Sequence, residues 1–190
     1  MRAERGAESV TLHAPDGAVA VLTPPFPPLP PAGPGEDAVA ALVGHALADR
    51  RVLVFLLRRG GYACARVEGG QVTEAKVGRR HVQGRTAAGG WSQQRFARRR
   101  EQQTAQAVDA AVETAVRVLL PAPDGGLLAT GGDRRLVEAA LADRRLAGLS
   151  GLPRGPHLAV PDPRAELVAR LPGLLTQVQI ELRDQTGRAM

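Results

Sequence analysis

Val52-Leu-Val-Phe-Leu-Leu57 is six apolar residues in a row. A run of that length and composition reads as a strand buried on both faces, at the centre of a sheet. Working outward toward the C-terminus, residues 62–67 and 71–77 read as two further strands. Gly60-Gly61 and Gly69-Gly70 supply the tight turns of an antiparallel meander. Residues 84–90 have no period and no bulky apolar side chain, which predicts a flexible loop. A long helix is predicted from Ser92, as N-cap, to Leu120, where Pro121 stops it. Its core stripe is Ala105, Val108, Val112, Ala115, Val116 and Leu119. The first three turns are polar or basic apart from Phe96 and Ala97. About 29 helical residues span roughly 43 Å, so the basic end is expected to project beyond the body. After it come a strand at 126–130, a turn at Gly131-Gly132, and a helix from an Asp133 cap to about 143. A strand at 157–160 and a final helix at 162–184, kinked at Pro172, complete a mixed α/β sheet domain.

Working outward toward the N-terminus, Glu36-Asp37 opens a helix through about residue 49. Its acids lie at the positive end, and Val39, Leu42, Val43 and Leu47 form its apolar face. Residues 24–34 hold seven prolines. Too few N–H groups remain there for a ladder, so an extended, semi-rigid linker is expected. Residues 9–13 and 18–22, joined by Pro15-Asp16-Gly17, read as a hairpin. The expected organisation is an N-terminal hairpin and Pro-rich linker over residues 1–35, followed by the α/β domain over 36–190.

The 190 residues, 44% hydrophobic, suffice for one core. Aromatic residues are 3%, so that core is built of Val, Leu and Ala. One cysteine, Cys64, excludes a disulfide framework and any zinc site with two thiolates. Arg2, Glu4, Arg5 and Glu8 follow Met1 with no apolar stretch, so no signal peptide is expected. The long uncharged run at 17–35 holds too many prolines to span a bilayer. A cytoplasmic protein without a membrane partner is the expectation. His13, His45, His81 and His157 are scattered without ligand spacing, and neither a metal nor another cofactor is expected.

The net charge is +6, and 24 of the 25 cations are arginine. No acid interrupts the stretch between Glu74 and Glu101, which carries Lys76, Arg79, Arg80, Arg85, Arg95, Arg98, Arg99 and Arg100. The rest of the chain holds 17 cations and 19 acids. All of the positive excess therefore lies in one segment, which points to a polyanion site, nucleic acid or phosphate. A solvated helix face is the alternative reading. Within that segment the paired glycines Gly89-Gly90 permit close backbone approach. A helix start offers unpaired N–H groups to an anion. Trp91, the only tryptophan, could stack on a nucleobase from its polar loop, with the arginines holding RNA phosphates.

The stretch Gly89-Gly90-x-Ser92-x-x-Arg95-Phe96-Ala97-Arg98-x-Arg100 resembles the catalytic loop of eukaryotic and archaeal class 1 peptide-release factors. Those carry Gly-Gly-Gln before the same Ser-x-x-Arg-Phe-x-Arg helix opening. The preceding meander and the later Gly126-Leu-Leu-Ala-Thr-Gly-Gly-Asp133 recur in the same order. The resemblance covers residues 51–184. With no codon-reading domain before it and no partner-binding domain after it, the chain looks like the stand-alone, actinobacterial-type branch of the Vms-like release factor (VLRF) family. The resemblance implies an RNase H-like α/β release-factor catalytic domain. It implies peptidyl-tRNA hydrolysis on stalled ribosomes, in ribosome rescue and quality control. Its implied partners are the large ribosomal subunit, peptidyl-tRNA and rRNA.

One position departs from the pattern. Counted without gaps, the release-factor glutamine falls on Trp91, while Gln93 and Gln94 stand two and three residues later. In VLRF relatives the glutamine is also displaced from the glycines. The resemblance therefore carries the catalytic role to Gln93, with Gln94 as the alternative, beside Gly89 and Gly90. The RNA-binding set is Arg79, Arg80, Arg85, Trp91, Arg95, Arg98, Arg99 and Arg100. A non-catalytic ribosome- or RNA-binding module using the same loop and helix is the other reading, and Trp91 in the glutamine position is its support. Nuclease chemistry on such a fold needs clustered carboxylates, and the meander offers only Glu68 and Glu74. Cys64 reads as a small buried residue, and Gly69-Gly70-Gln71 as a hairpin turn rather than a second catalytic loop.

Overall fold

The computed structural model describes residues 1–79, 92–120 and 126–184, with side chains from 92–97 and 100 outside that description. In chain order the strands and helices are β1 (Arg2–Arg5), β2 (Val10–His13), β3 (Val19–Thr23), α1 (Ala38–Leu47), β4 (Val52–Arg58), β5 (Gly61–Glu68) and β6 (Gln71–Arg79). Then follow α2 (Ser92–Val118), β7 (Leu127–Gly132), α3 (Arg134–Leu141), a 3-10 turn at Arg144–Leu146, and α4 (Ala147–Ser150). The chain continues with β8 (Arg154–Leu158), α5 (Ala165–Ala169), α6 (Leu171–Leu175) and β9 (Gln179–Arg183). Contacts divide it into two units, one from Met1–Asp49 together with the segment from Gly173 onward, the other Arg50–Pro172.

The second unit is built on a five-stranded sheet of order β6-β5-β4-β7-β8. β4 is its centre, antiparallel to β5 and parallel to β7. Residues 52–57 are each at most 2% exposed, as the apolar run requires of a strand covered on both faces. The meander closes through Gly69 and Gly70, both at positive φ, with Glu68 opposite Gln71. That is the two-residue hairpin turn expected there. One face of the sheet packs Leu53, Phe55, Leu57 and Cys64 against Ala111 and Ala115 of α2 and Leu119 just after it. The unit is α/β with a mixed five-stranded sheet and several helices, as expected for a release-factor catalytic domain.

The first unit corrects three expectations. Residues 177–184 are not helical: β9 pairs antiparallel with β3, Ile180 opposite Leu22 and Leu182 opposite Ala20. The segment Gln177-Val-Gln-Ile-Glu-Leu-Arg183 alternates polar and apolar, a period of two that marks a strand. Together with β1 and the expected β2–β3 hairpin it makes a sheet of order β1-β2-β3-β9. Second, the Pro-rich stretch is no free spacer. Phe26 and Leu29 are buried, Leu29 against Val10 and Leu42. The Leu29 N–H bonds to Ala7 O at 2.7 Å, and Phe26 O lies 2.6 Å from His45 Nε2. Third, α1, capped by Asp37 as expected and grouped with this unit, does not bury the face expected of it. It buries Ala41, Leu42 and Ala46, while Val43 and Leu47 are exposed. Two alanines give a helix a close approach that larger side chains would prevent, so α1 buries Leu42 with Ala41 and Ala46 and leaves Val43 and Leu47 outside.

Candidate nucleic-acid interface

The basic segment runs from the end of β6 into α2. Lys76 and Arg79 are exposed on β6, and Arg98 and Arg99 are exposed on α2. Among the described residues none forms an ion pair with any of these four. The bordering acid Glu74 is held by Arg66 at 3.1 Å, so its charge is neutralised on the sheet. The first turn of α2 carries no acid. Arg80, Arg85, Gly89, Gly90, Trp91 and His81 lie outside the described residues. Gln93, Gln94, Arg95 and Arg100 sit on the α2 backbone, with side chains outside the description.

Burial on α2 begins at Ala107; Glu101, Gln102, Ala105 and Gln106 are exposed. The expected stripe is thus shifted. Ala105 faces solvent, and the buried residues are Ala107, Ala110, Ala111, Val112, Thr114, Ala115 and Val118, with Leu119 buried just past the helix end. The shift favours alanine over valine at the sheet contact, again for close approach.

Two contacts that sequence reasoning missed hold the buried half in place. The Tyr62 hydroxyl lies 3.3 Å from Thr114 Oγ1, and Thr114, 1% exposed, donates to Ala110 O at 2.9 Å. The Tyr62 ring occupies the space over Gly78, where a Cβ would overlap it. Gly78 immediately precedes Arg79, so this packing sets where the basic segment leaves the sheet. The available signal was the isolated glycine inside the β6 pattern, which marks close approach of another group. On the helix side, Arg145 bridges Asp109 of α2 (2.6 Å) and Asp143 (2.8 Å). The side-chain and backbone hydrogen bonds from Arg145 push the Asp143 carboxyl down to about 2.

Other chemistries find no support in the geometry. Cys64 is fully buried with its Sγ 3.9 Å from Ala111 O, and burial pushes its thiol well above the ordinary range. His157 has both ring nitrogens engaged. Its Nε2–H donates to Gly132 O (3.3 Å), and Nδ1 accepts from the Thr130 hydroxyl (2.9 Å). Among the described residues no three His, Cys, Asp or Glu side chains gather to hold a metal ion, and no helix is long and apolar enough to cross a membrane.

No curated protein matches the chain. Residues 50–181, however, match a family described as Actinobacteria/chloroflexi VLRF1 release factor. The match takes in the whole five-stranded unit and both flanks of the basic segment. By a match that covers well over half its length, the chain belongs to the Actinobacteria/chloroflexi VLRF1 release factor family.

Proposed function

We propose that the protein is a peptidyl-tRNA hydrolase that frees nascent chains from stalled ribosomes, working on the large subunit with rRNA and the tRNA acceptor end as its polyanionic ligands. Membership of a release factor family gives a ribosome-associated release function. The observation that carries the finer reading is the N-terminal part of α2, where Arg98 and Arg99 are exposed and no described acid pairs with them, on the helix that follows Gly89-Gly90 in the sequence. The arginines would hold phosphates and set Gly89-Gly90 beside the terminal ester. Gln93, or Gln94 beside it, would orient one water. A glutamine amide is too weak a base to take a proton at neutral pH, so its part is positioning and hydrogen bonding to developing charge. Water oxygen adds to the ester carbonyl carbon, and the bond to the ribose oxygen breaks. That oxygen takes a proton, leaving a free peptide acid and a tRNA hydroxyl.

The test is release of labelled nascent chain from peptidyl-tRNA on isolated large subunits. Release above background by the wild type, lost in Gln93→Ala or Gln94→Ala, is expected. A second reading, a non-catalytic ribosome binder, is favoured by Trp91 standing where release factors have glutamine. It predicts binding without release and no effect of either glutamine substitution.

A further inference from the structure

The register of the five-stranded sheet brings together arginines that are far apart in the chain. Arg58 is opposite Gly61, Gly61 opposite Arg79, and Leu57 opposite Gly132. β4, β6 and β7 therefore end at one edge of the sheet. Arg59 lies in the turn after β4, and Asp133, after β7, bonds through its N–H to Leu57 O at 2.8 Å. Arg134 and Arg135, the first residues of α3, follow at the same edge. Arg59, Arg79, Arg134 and Arg135 are all exposed, and no described acid pairs with them. Two acids at this edge are already committed. Asp133 caps α3 through Arg135 N and Leu136 N, and Asp162 lies 3.8 Å from Arg58. At the opposite edge Arg51 is paired with Glu68 and Arg66 with Glu74, each at 3.1 Å, while Arg154, at the start of β8, is exposed with no described acid partner.

We infer that this edge, through Arg59, Arg134 and Arg135, is a second RNA-backbone contact continuous with the basic segment that leaves β6 at Arg79. This rests on the ribosomal reading above. Four neighbouring strands at about 4.8 Å spacing put Arg79 and the start of α3 roughly 14 Å apart, a span that one stretch of nucleic-acid backbone can bridge. An acidic protein surface is the competing occupant. The backbone of RNA is favoured because the patch is all arginine, whose planar fork matches phosphate oxygens. It also runs on, through Arg79, from the acid-free segment. In open α/β sheets, moreover, the carboxyl ends of parallel strands are where ligands collect.

The test compares wild type with the Arg59→Ala/Arg134→Ala/Arg135→Ala variant and its all-Lys counterpart. Binding is measured to protein-free large-subunit rRNA and to intact large subunits over a salt series, with circular dichroism as the folding control. Each lost phosphate contact flattens log K against log salt by about 0.9 on a duplex and about 0.7 on a single strand. The alanine variant should therefore lose two to three units of slope on both ligands (about), and the lysine variant should keep most of it. If wild type binds rRNA with a steep slope and the alanine variant matches it, the inference is overturned while the ribosomal reading stands. If the alanine variant binds rRNA like wild type but loses the intact subunit, the edge belongs to a protein partner and the inference is again overturned. A lysine variant as weak as the alanine one would overturn a phosphate contact. If the wild type itself fails to bind rRNA, the ribosomal reading falls and takes this one with it.

Discussion

The two halves of α2 share one backbone and obey opposite rules. From Ala107 onward the helix is alanine and valine pressed on the sheet, its acid Asp109 tied to Arg145. Before that point Arg98, Arg99, Glu101, Gln102, Ala105 and Gln106 are exposed, and Arg98 and Arg99 stand without a described acidic partner. The difference teaches that burial supplies the anchor and leaves the charge available. A helix held along its C-terminal half needs no contacts on its N-terminal half to stay formed, since propagation adds a hydrogen bond per residue once the nucleus exists.

The largest expected effect comes from breaking the buried half. Ala111→Asp places a carboxylate where the native side chain is 0% exposed. A loss of at least about 3 kcal/mol is expected, read as a lower urea midpoint. Gly78→Ala sharpens the point on the sheet side, because a methyl there meets the Tyr62 ring. Overpacking of this kind costs about 1–3 kcal/mol, and combining it with Tyr62→Ala should recover part of the Gly78→Ala penalty relative to additivity in a double-mutant cycle. Arg98→Glu with Arg99→Glu probes the other half. Stability should stay within about 0.5 kcal/mol of wild type, while the salt slope of rRNA binding flattens by about two units. Loss of fold with loss of binding would erase the contrast between the halves.

The smallest effect is at the tie between α2 and the 3-10 turn. Asp143 has its carboxyl lowered from 3.8 to about 2 by its bonds from Arg145. The folded protein therefore binds that proton less tightly than the unfolded chain. Its contribution is complete above the ordinary aspartate range and is lost as pH falls toward about 2. Asp143→Asn should lower the melting temperature slightly at pH 7, and the gap from wild type should close as pH drops through that window. A gap that is constant with pH would show that the ion pair adds nothing beyond shape.

How much could be read in advance divides along physical lines. The central strand was legible because six apolar residues admit no exposed face, and the Gly69-Gly70 turn because two positive φ values need glycine. The basic segment was legible as a charge pattern, which does not depend on how the chain folds. β9 had a local signal too, the period of two in Val178, Ile180 and Leu182, but the sequence did not show that β3 would offer it an edge. The burial of Phe26 and Leu29 was hidden by the prolines around them. Proline content tells what a backbone cannot donate, and says nothing about whether its apolar side chains find a cavity.

By itself, the amino-acid sequence determined the alternation of strand and helix in the five-stranded unit, the acid-free window, and the residues that tie this chain to a release factor family. These depend on local period, local charge and local motif. Only the tertiary structure decided which helix faces are buried, and that Tyr62 needs Gly78 beneath it. It also decided that Arg59, Arg134 and Arg135 end on the same sheet edge as Arg79. Those facts depend on which strands become neighbours. Strand pairing joins residues tens of positions apart through backbone hydrogen bonds that every sequence can make.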